Sequence, residues 1–119
     1  MTQEDKELLL TDLSARLPYG VKVRYITESA KKIGASYLID VLNPILYKHI
    51  LEDNILAWPY LRPMSSMTQE EYEEEVSSLF GWNTEWEHYD WLNAHHFDYR
   101  GLIKMGLALE APEGMYKEK

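Results

Sequence analysis

The chain has 119 residues, with 20 Asp and Glu against 12 Lys and Arg, and a formal net charge of −8. A single domain spanning 1–119 is the expectation at this length, and an apolar content of 45% excludes a disordered chain. No apolar run reaches the ~20 residues of a membrane helix, and the lack of cysteine excludes disulfide scaffolds, thiol catalysis and cysteine-ligated zinc.

At the N-terminus, MTQEDKELLL puts acids where a signal peptide carries positive charge, so a cytoplasmic protein is expected. A first helix is predicted from about Gln3 to Leu17. Thr2 and Asp5 have capping-box spacing, and Leu9, Leu10, Leu13 and Leu17 form its apolar stripe. Pro18 and Gly20 stop it. Val21 to Tyr25 alternates as a strand, Thr27 to Gly34 reads as a long hairpin loop, and Ser36 to Leu42 reads as a second strand buried on both faces. After Asn43-Pro44, residues 45–52 predict a short helix with Ile45, Leu46, His49 and Ile50 on one side. Ile55 to Leu61 predicts a third strand, which Pro59 and Pro63 restrict to an edge or an irregular path.

Thr68 with Glu71 makes a second capping box, for a helix over about 69–80. Gly81 ends it, and another helix is predicted over 84–96. Asp98 is placed to cap a last turn through Ile103, Leu107 to Glu110 reads as a short strand, and 112–119 reads as a frayed tail. The fold class that follows is α+β: a small, mainly antiparallel sheet packed by an N-terminal helix and C-terminal helices.

Three stretches, LLLTDLSARLPYGV, PYLRPMSSMTQEE and DWLNAHHFDYRGLIKMGLALEAPEGMY, cover about half the chain. Together they resemble an uncharacterised family of short proteins encoded in gut Bacteroidales genomes, often in a setting of phage or other mobile DNA. The resemblance implies no activity and no catalytic residue.

The charge is unevenly placed. Residues 68–90 hold Glu70, Glu71, Glu73, Glu74, Glu75, Glu85, Glu87 and Asp90 with no Lys or Arg, and the rest of the chain balances. The run reads as the solvated face of a helix, or as a mimic of a nucleic-acid backbone that occupies a DNA-binding protein. Direct nucleic-acid binding is not expected, because phosphate contacts need clustered bases and the one modest patch is Lys22, Arg24, Lys31 and Lys32.

A metal site is not assigned. His88 and His95 share a helical face but stand roughly 10 Å apart along the axis, and no HExxH pair exists. His95, His96 and Asp98 form the alternative reading, a metal-dependent or carboxylate enzyme. The glycines make neither a P-loop nor a dinucleotide fingerprint, so no cofactor is expected.

Aromatics crowd the acidic half: Tyr72, Phe80, Trp82, Trp86, Tyr89, Trp91, Phe97 and Tyr99. Core packing accounts for most of them, yet one small domain can hardly bury four tryptophans. The leading expectation is a non-catalytic accessory protein that binds another protein bearing a basic surface. Trp82, Trp86, Glu85 and Arg62 are the candidate contacts. For Arg62, a salt bridge to the acidic helix is the structural reading.

Overall fold

A computed structural model describes residues 2–79 and 85–116, with the side chains of 76–79 and 85–86 excepted. The chain forms α1 (Gln3–Arg16), β1 (Lys22–Thr27), α2 (Glu28–Lys32), β2 (Leu38–Val41), α3 (Pro44–Leu51) and β3 (Ile55–Leu61). It then forms α4 (Gln69–Leu79), α5 (Glu85–Ala94) and β4 (Leu109–Glu110). No helix among the described residues is long and apolar enough to cross a membrane.

The sheet order is β2-β1-β3-β4. β1 runs antiparallel to both β2 and β3, and β4 runs parallel to β3. The α+β class is therefore as expected, but β3 lies inside the sheet rather than at its edge. Pro59 stands opposite Val23. The Leu42 amide donates to the Val21 carbonyl at 2.8 Å, which fixes the alternation: Val21, Val23 and Tyr25 bond toward β2, and Arg24 and Ile26 bond toward β3. By the same alternation Pro59 turns its nitrogen away from β1, toward a position just before β4 begins at Tyr60 and Leu109. An imide nitrogen costs no ladder bond there.

One face of the sheet carries the core. Val21, Val23, Ile55, Ala57 and Leu61 pack with Leu9 and Leu13 of α1, Leu46 and Ile50 of α3, and Leu42, Leu102 and Leu107. The Thr2–Asp5 capping box opens α1 as expected. Thr27 caps α2, so the segment expected as a loop holds one helical stretch. On α3, Leu46 and Ile50 are buried, whereas Ile45 and His49 face solvent, contrary to the expected stripe. The largest departure is β2, which was expected to be buried on both faces and is exposed at all of its residues.

Polar groups organise the other side of the core. Asp12 and Arg16, one turn apart on α1, are fully buried. Arg16 Nε donates to Asp12 Oδ2 at 2.8 Å and Arg16 Nη2 to the Phe97 carbonyl at 2.6 Å. Arg100 Nε donates to Asp12 Oδ1 at 3.1 Å. Segment 96–98 is thereby held beside β3. The Arg62 amide donates to the His96 carbonyl at 2.7 Å, and the Asp98 amide to the Arg62 carbonyl at 2.8 Å. Asp98 also accepts the amides of Leu102 and Ile103, the capping role expected for it, although the segment it closes is a run of turns.

Tyr116 closes the gap where β1 and β3 splay. Its hydroxyl accepts from the Lys22 amide at 2.8 Å and donates to the Tyr60 carbonyl at 2.7 Å. Its ring stacks on His96 at 3.8 Å. The tail expected to fray from 112 is thus seated on the sheet as far as Tyr116. Residues 117–119 lie outside the described residues.

Two predictions follow from this packing. Leu13→Ala, at a fully buried site, should cost about 2–5 kcal/mol in urea unfolding. A loss below about 0.5 kcal/mol, the scale of surface changes, would show that α1 does not pack as described.

The second concerns His96. Burial, reinforced by the Arg16 guanidinium, lowers its pKa from 6.5 to about 4. The unfolded chain therefore takes up a proton that the folded chain refuses. Stability should be fully present above about pH 6.5 and decline toward about pH 4. His96 sits at φ 64°, which Asn tolerates, so His96→Asn should flatten that part of the stability–pH profile. An unchanged slope would remove His96 as the titrating group.

Candidate functional site

Two regions of the surface concentrate candidate chemistry. The first is the acidic half. Thr68 and Glu71 form the expected capping box at the start of α4: the Glu71 amide donates to Thr68 Oγ1 at 3.1 Å and the Thr68 amide to Glu71 Oε1 at 3.0 Å. Both Glu71 oxygens also accept from Arg62, at 2.6 and 2.7 Å. The Arg62 guanidinium lies over the Phe97 ring at 4.3 Å. This fork holds the Glu71 carboxyl at a pKa of about 2, below the usual carboxylate range, chiefly through the Arg62 hydrogen bonds. Arg62 thus makes the salt bridge to the acidic helix that its stiff, proline-flanked position implied.

Further along α4, Glu74 accepts from Trp91 Nε1 at 3.0 Å, and Glu75 lies 3.6 Å from His88 Nε2. Glu71 and Glu75 are half-buried by these contacts, while Glu70, Glu73, Glu74, Glu87 and Asp90 remain exposed. Trp82 lies outside the described residues. Glu85 and Trp86 fall within α5, but their side chains lie outside them as well.

The groups of the alternative enzyme reading are each committed to a different neighbour. His95 Nδ1 is 3.7 Å from Glu71, His96 stacks on Tyr116, and Asp98 accepts two backbone amides. Among the described residues no group of three or more His, Cys, Asp or Glu side chains is placed to hold a metal ion.

The second region is β2, which sequence reasoning missed. Its residues Leu38, Ile39 and Val41 keep 58%, 55% and 42% of their surface exposed. Cross-strand pairing puts Leu38 and Asp40 on the core face, opposite Tyr25 and Val23, and Ile39 and Val41 on the other face, opposite Arg24 and Lys22. On that second face the Arg24 guanidinium lies 4.2 Å from the centre of the Tyr37 ring and 5.6 Å from that of Trp58. The cation most central to the basic patch is therefore occupied by the sheet's own aromatics.

On the core face, a groove of about 240 Å³ runs between β2 and α3, lined by Tyr25, Asp40, Asn43, Ile45, Leu46, His49 and Ile55. Ile45 is 72% exposed on its rim. A composition signal was available: Ser36 to Leu42 is largely apolar but carries Asp40 within it, a residue poorly suited to a strand buried on both faces.

The Arg62 fork predicts a local effect. Arg62→Ala should speed hydrogen exchange across the first turns of α4 and cost about 1–3 kcal/mol of global stability, the range for charged hydrogen bonds. Unchanged exchange in α4 would show that the fork does not hold the helix. Comparison of the chain with family models, with curated proteins and with solved structures gave no match.

Proposed function

We propose that the protein is a non-catalytic module that binds another protein. The observation that carries this reading is β2, a strand whose Leu38, Ile39 and Val41 are bare at the end of the sheet. Such an edge is a template for pairing with another chain. A flanking groove lined by Tyr25, Ile45, Leu46 and Ile55 offers a place for a partner's side chain. The acidic half supports a second contact with a basic surface. Glu70 and Glu73 are exposed on α4, with Tyr72 exposed between them. Trp82, Trp86 and Glu85 remain the candidates that lie next to it in the sequence.

Affinity purification from the native cell, with wild type and variants in parallel, tests the assignment. Ile39→Lys puts a charge on the bare strand without touching the core and should remove the specific partner. Trp82→Ala with Trp86→Ala should leave that partner bound if β2 is the main site. Retention of every partner by Ile39→Lys, at wild-type level and with the fold intact by circular dichroism, would exclude β2. Loss through the tryptophan pair alone would move the contact to the acidic half.

A further inference from the structure

We infer that the partner adds to β2 as an extended strand, and that this strand is apolar at its centre and flanked by acidic residues. The inference rests on the protein-binding reading and specifies its mode.

The hydrogen-bonding pattern of β2 leaves a short open stretch. Because the Leu42 amide bonds the Val21 carbonyl, the register makes Leu38 and Asp40 bond toward β1. Tyr37, Ile39 and Val41 then direct their N–H and C=O groups away from the sheet. Val41 is already engaged by its neighbours: its amide donates to Asp40 Oδ1 at 2.8 Å, and its carbonyl accepts from the Asn43 side-chain amide at 3.3 Å. Two short polar side chains therefore close one end of the edge. Ile39 and the Tyr37 side of it remain open. An incoming strand would pair there, laying alternate side chains beside Ile39 on one face and beside Leu38 and the α3 groove on the other.

Charge decides between a second copy of this chain and a different partner. Residues 22–49 carry Lys22, Arg24, Lys31, Lys32 and Lys48 against Glu28 and Asp40, a net charge of +3 in a chain whose total is −8. Lys31, Lys32 and Lys48 are exposed. Pairing two β2 edges about a two-fold axis would bring two like-charged regions together, which opposes a self-dimer. An acidic segment is attracted instead, its carboxylates pairing with these exposed lysines.

The test is selection of short random peptides, displayed in a library, against the full chain. Enriched peptides should share an apolar centre flanked by Asp or Glu. Ile39→Pro removes only an N–H that points away from β1, a position where an edge strand tolerates proline. It should weaken the enriched peptides at least about tenfold, the loss expected for one to two edge hydrogen bonds and their packing. Lys31→Glu with Lys32→Glu, which leaves the strand untouched, should weaken them severalfold and reduce the salt dependence, and it serves if Ile39→Pro does not fold. Bound peptide should also slow exchange of the Ile39 amide.

Enrichment of basic or helical peptides, equal binding by either variant, or no enrichment at all would overturn the inference. A wild-type dimer in sedimentation that Ile39→Pro dissolves would assign the edge to a second copy. If the native partner is lost on Ile39→Lys yet no displayed peptide binds, strand addition fails while protein binding stands. If the native partner is retained as well, both fail.

Discussion

The buried pair of Asp12 and Arg16 is the constraint around which the rest of the structure is arranged. Both side chains are completely removed from solvent, and an ion in that position is tolerated only when its remaining donors and acceptors are met. The chain meets them from far along the sequence. The Phe97 carbonyl takes Arg16 Nη2, Arg100 takes the second Asp12 oxygen, and the Tyr99 ring lies 5.3 Å from the guanidinium carbon. Within this pair, Arg16 Nη1 is the one side-chain polar atom left without a hydrogen-bond partner among the described residues. A hydrophobic pair in the same place would pack α1 on the sheet equally well, but it would not specify where 96–100 must lie. The ionic pair acts as a registration device between the two ends of the chain.

From that registration the acidic half acquires its position. Once Phe97 is fixed, His96 and Asp98 bond to Arg62 through their backbones. The Arg62 side chain then extends over the Phe97 ring to Glu71. Glu71 is the residue that also completes the cap of α4. One carboxylate therefore ends the helix backbone and anchors the helix to the core. Three acids of this region have structural roles: Glu71 meets Arg62, Glu74 the Trp91 indole N–H, and Glu75 lies beside His88.

Local signals carried much of the fold. The capping box at Thr2 and Asp5, the cap at Thr68 and Glu71, the third strand and the break at Asn43-Pro44 all depend on residues a few positions apart, where spacing alone conveys the geometry. Readings that required knowledge of the neighbour failed. Burial of β2 was inferred from its apolar composition, but composition does not distinguish a strand inside a sheet from an apolar strand left at its edge. Pro59 suggests an edge, yet what matters is the direction its nitrogen faces, and that is set by its register with β1, far back in the chain. Asp12 and Arg16 escaped notice because polar residues on a helix are ordinarily its wet face. Of the proposed contact residues, Arg62 alone could be followed to a partner side chain, because the described side chains omit Trp82, Glu85 and Trp86.

The edge at β2 combines protection with availability. Bare apolar edges invite indiscriminate pairing, and proteins blunt them with charge, short length or occupied backbone groups. Here β2 is only Leu38–Val41, and Asp40 and Asn43 occupy both polar groups of Val41. Yet the same strand leaves Ile39 open, with exposed Leu38 and Val41 beside it. If protection alone had shaped this edge, the simplest device would be a charge at Ile39, whose side chain touches no buried core residue through its own strand face. The apolar residue instead sits where both backbone groups point outward and, unlike those of Val41, are not taken by a neighbouring side chain. In the proposed mode, net negative charge over the whole molecule would oppose the approach of copies at long range, while the local excess of lysine would draw an acidic chain toward this point. Under that proposal, selectivity between self-pairing and partner binding would reside in the opposite signs of the local and the total charge, and affinity in a stretch of backbone too short to pair with an arbitrary strand.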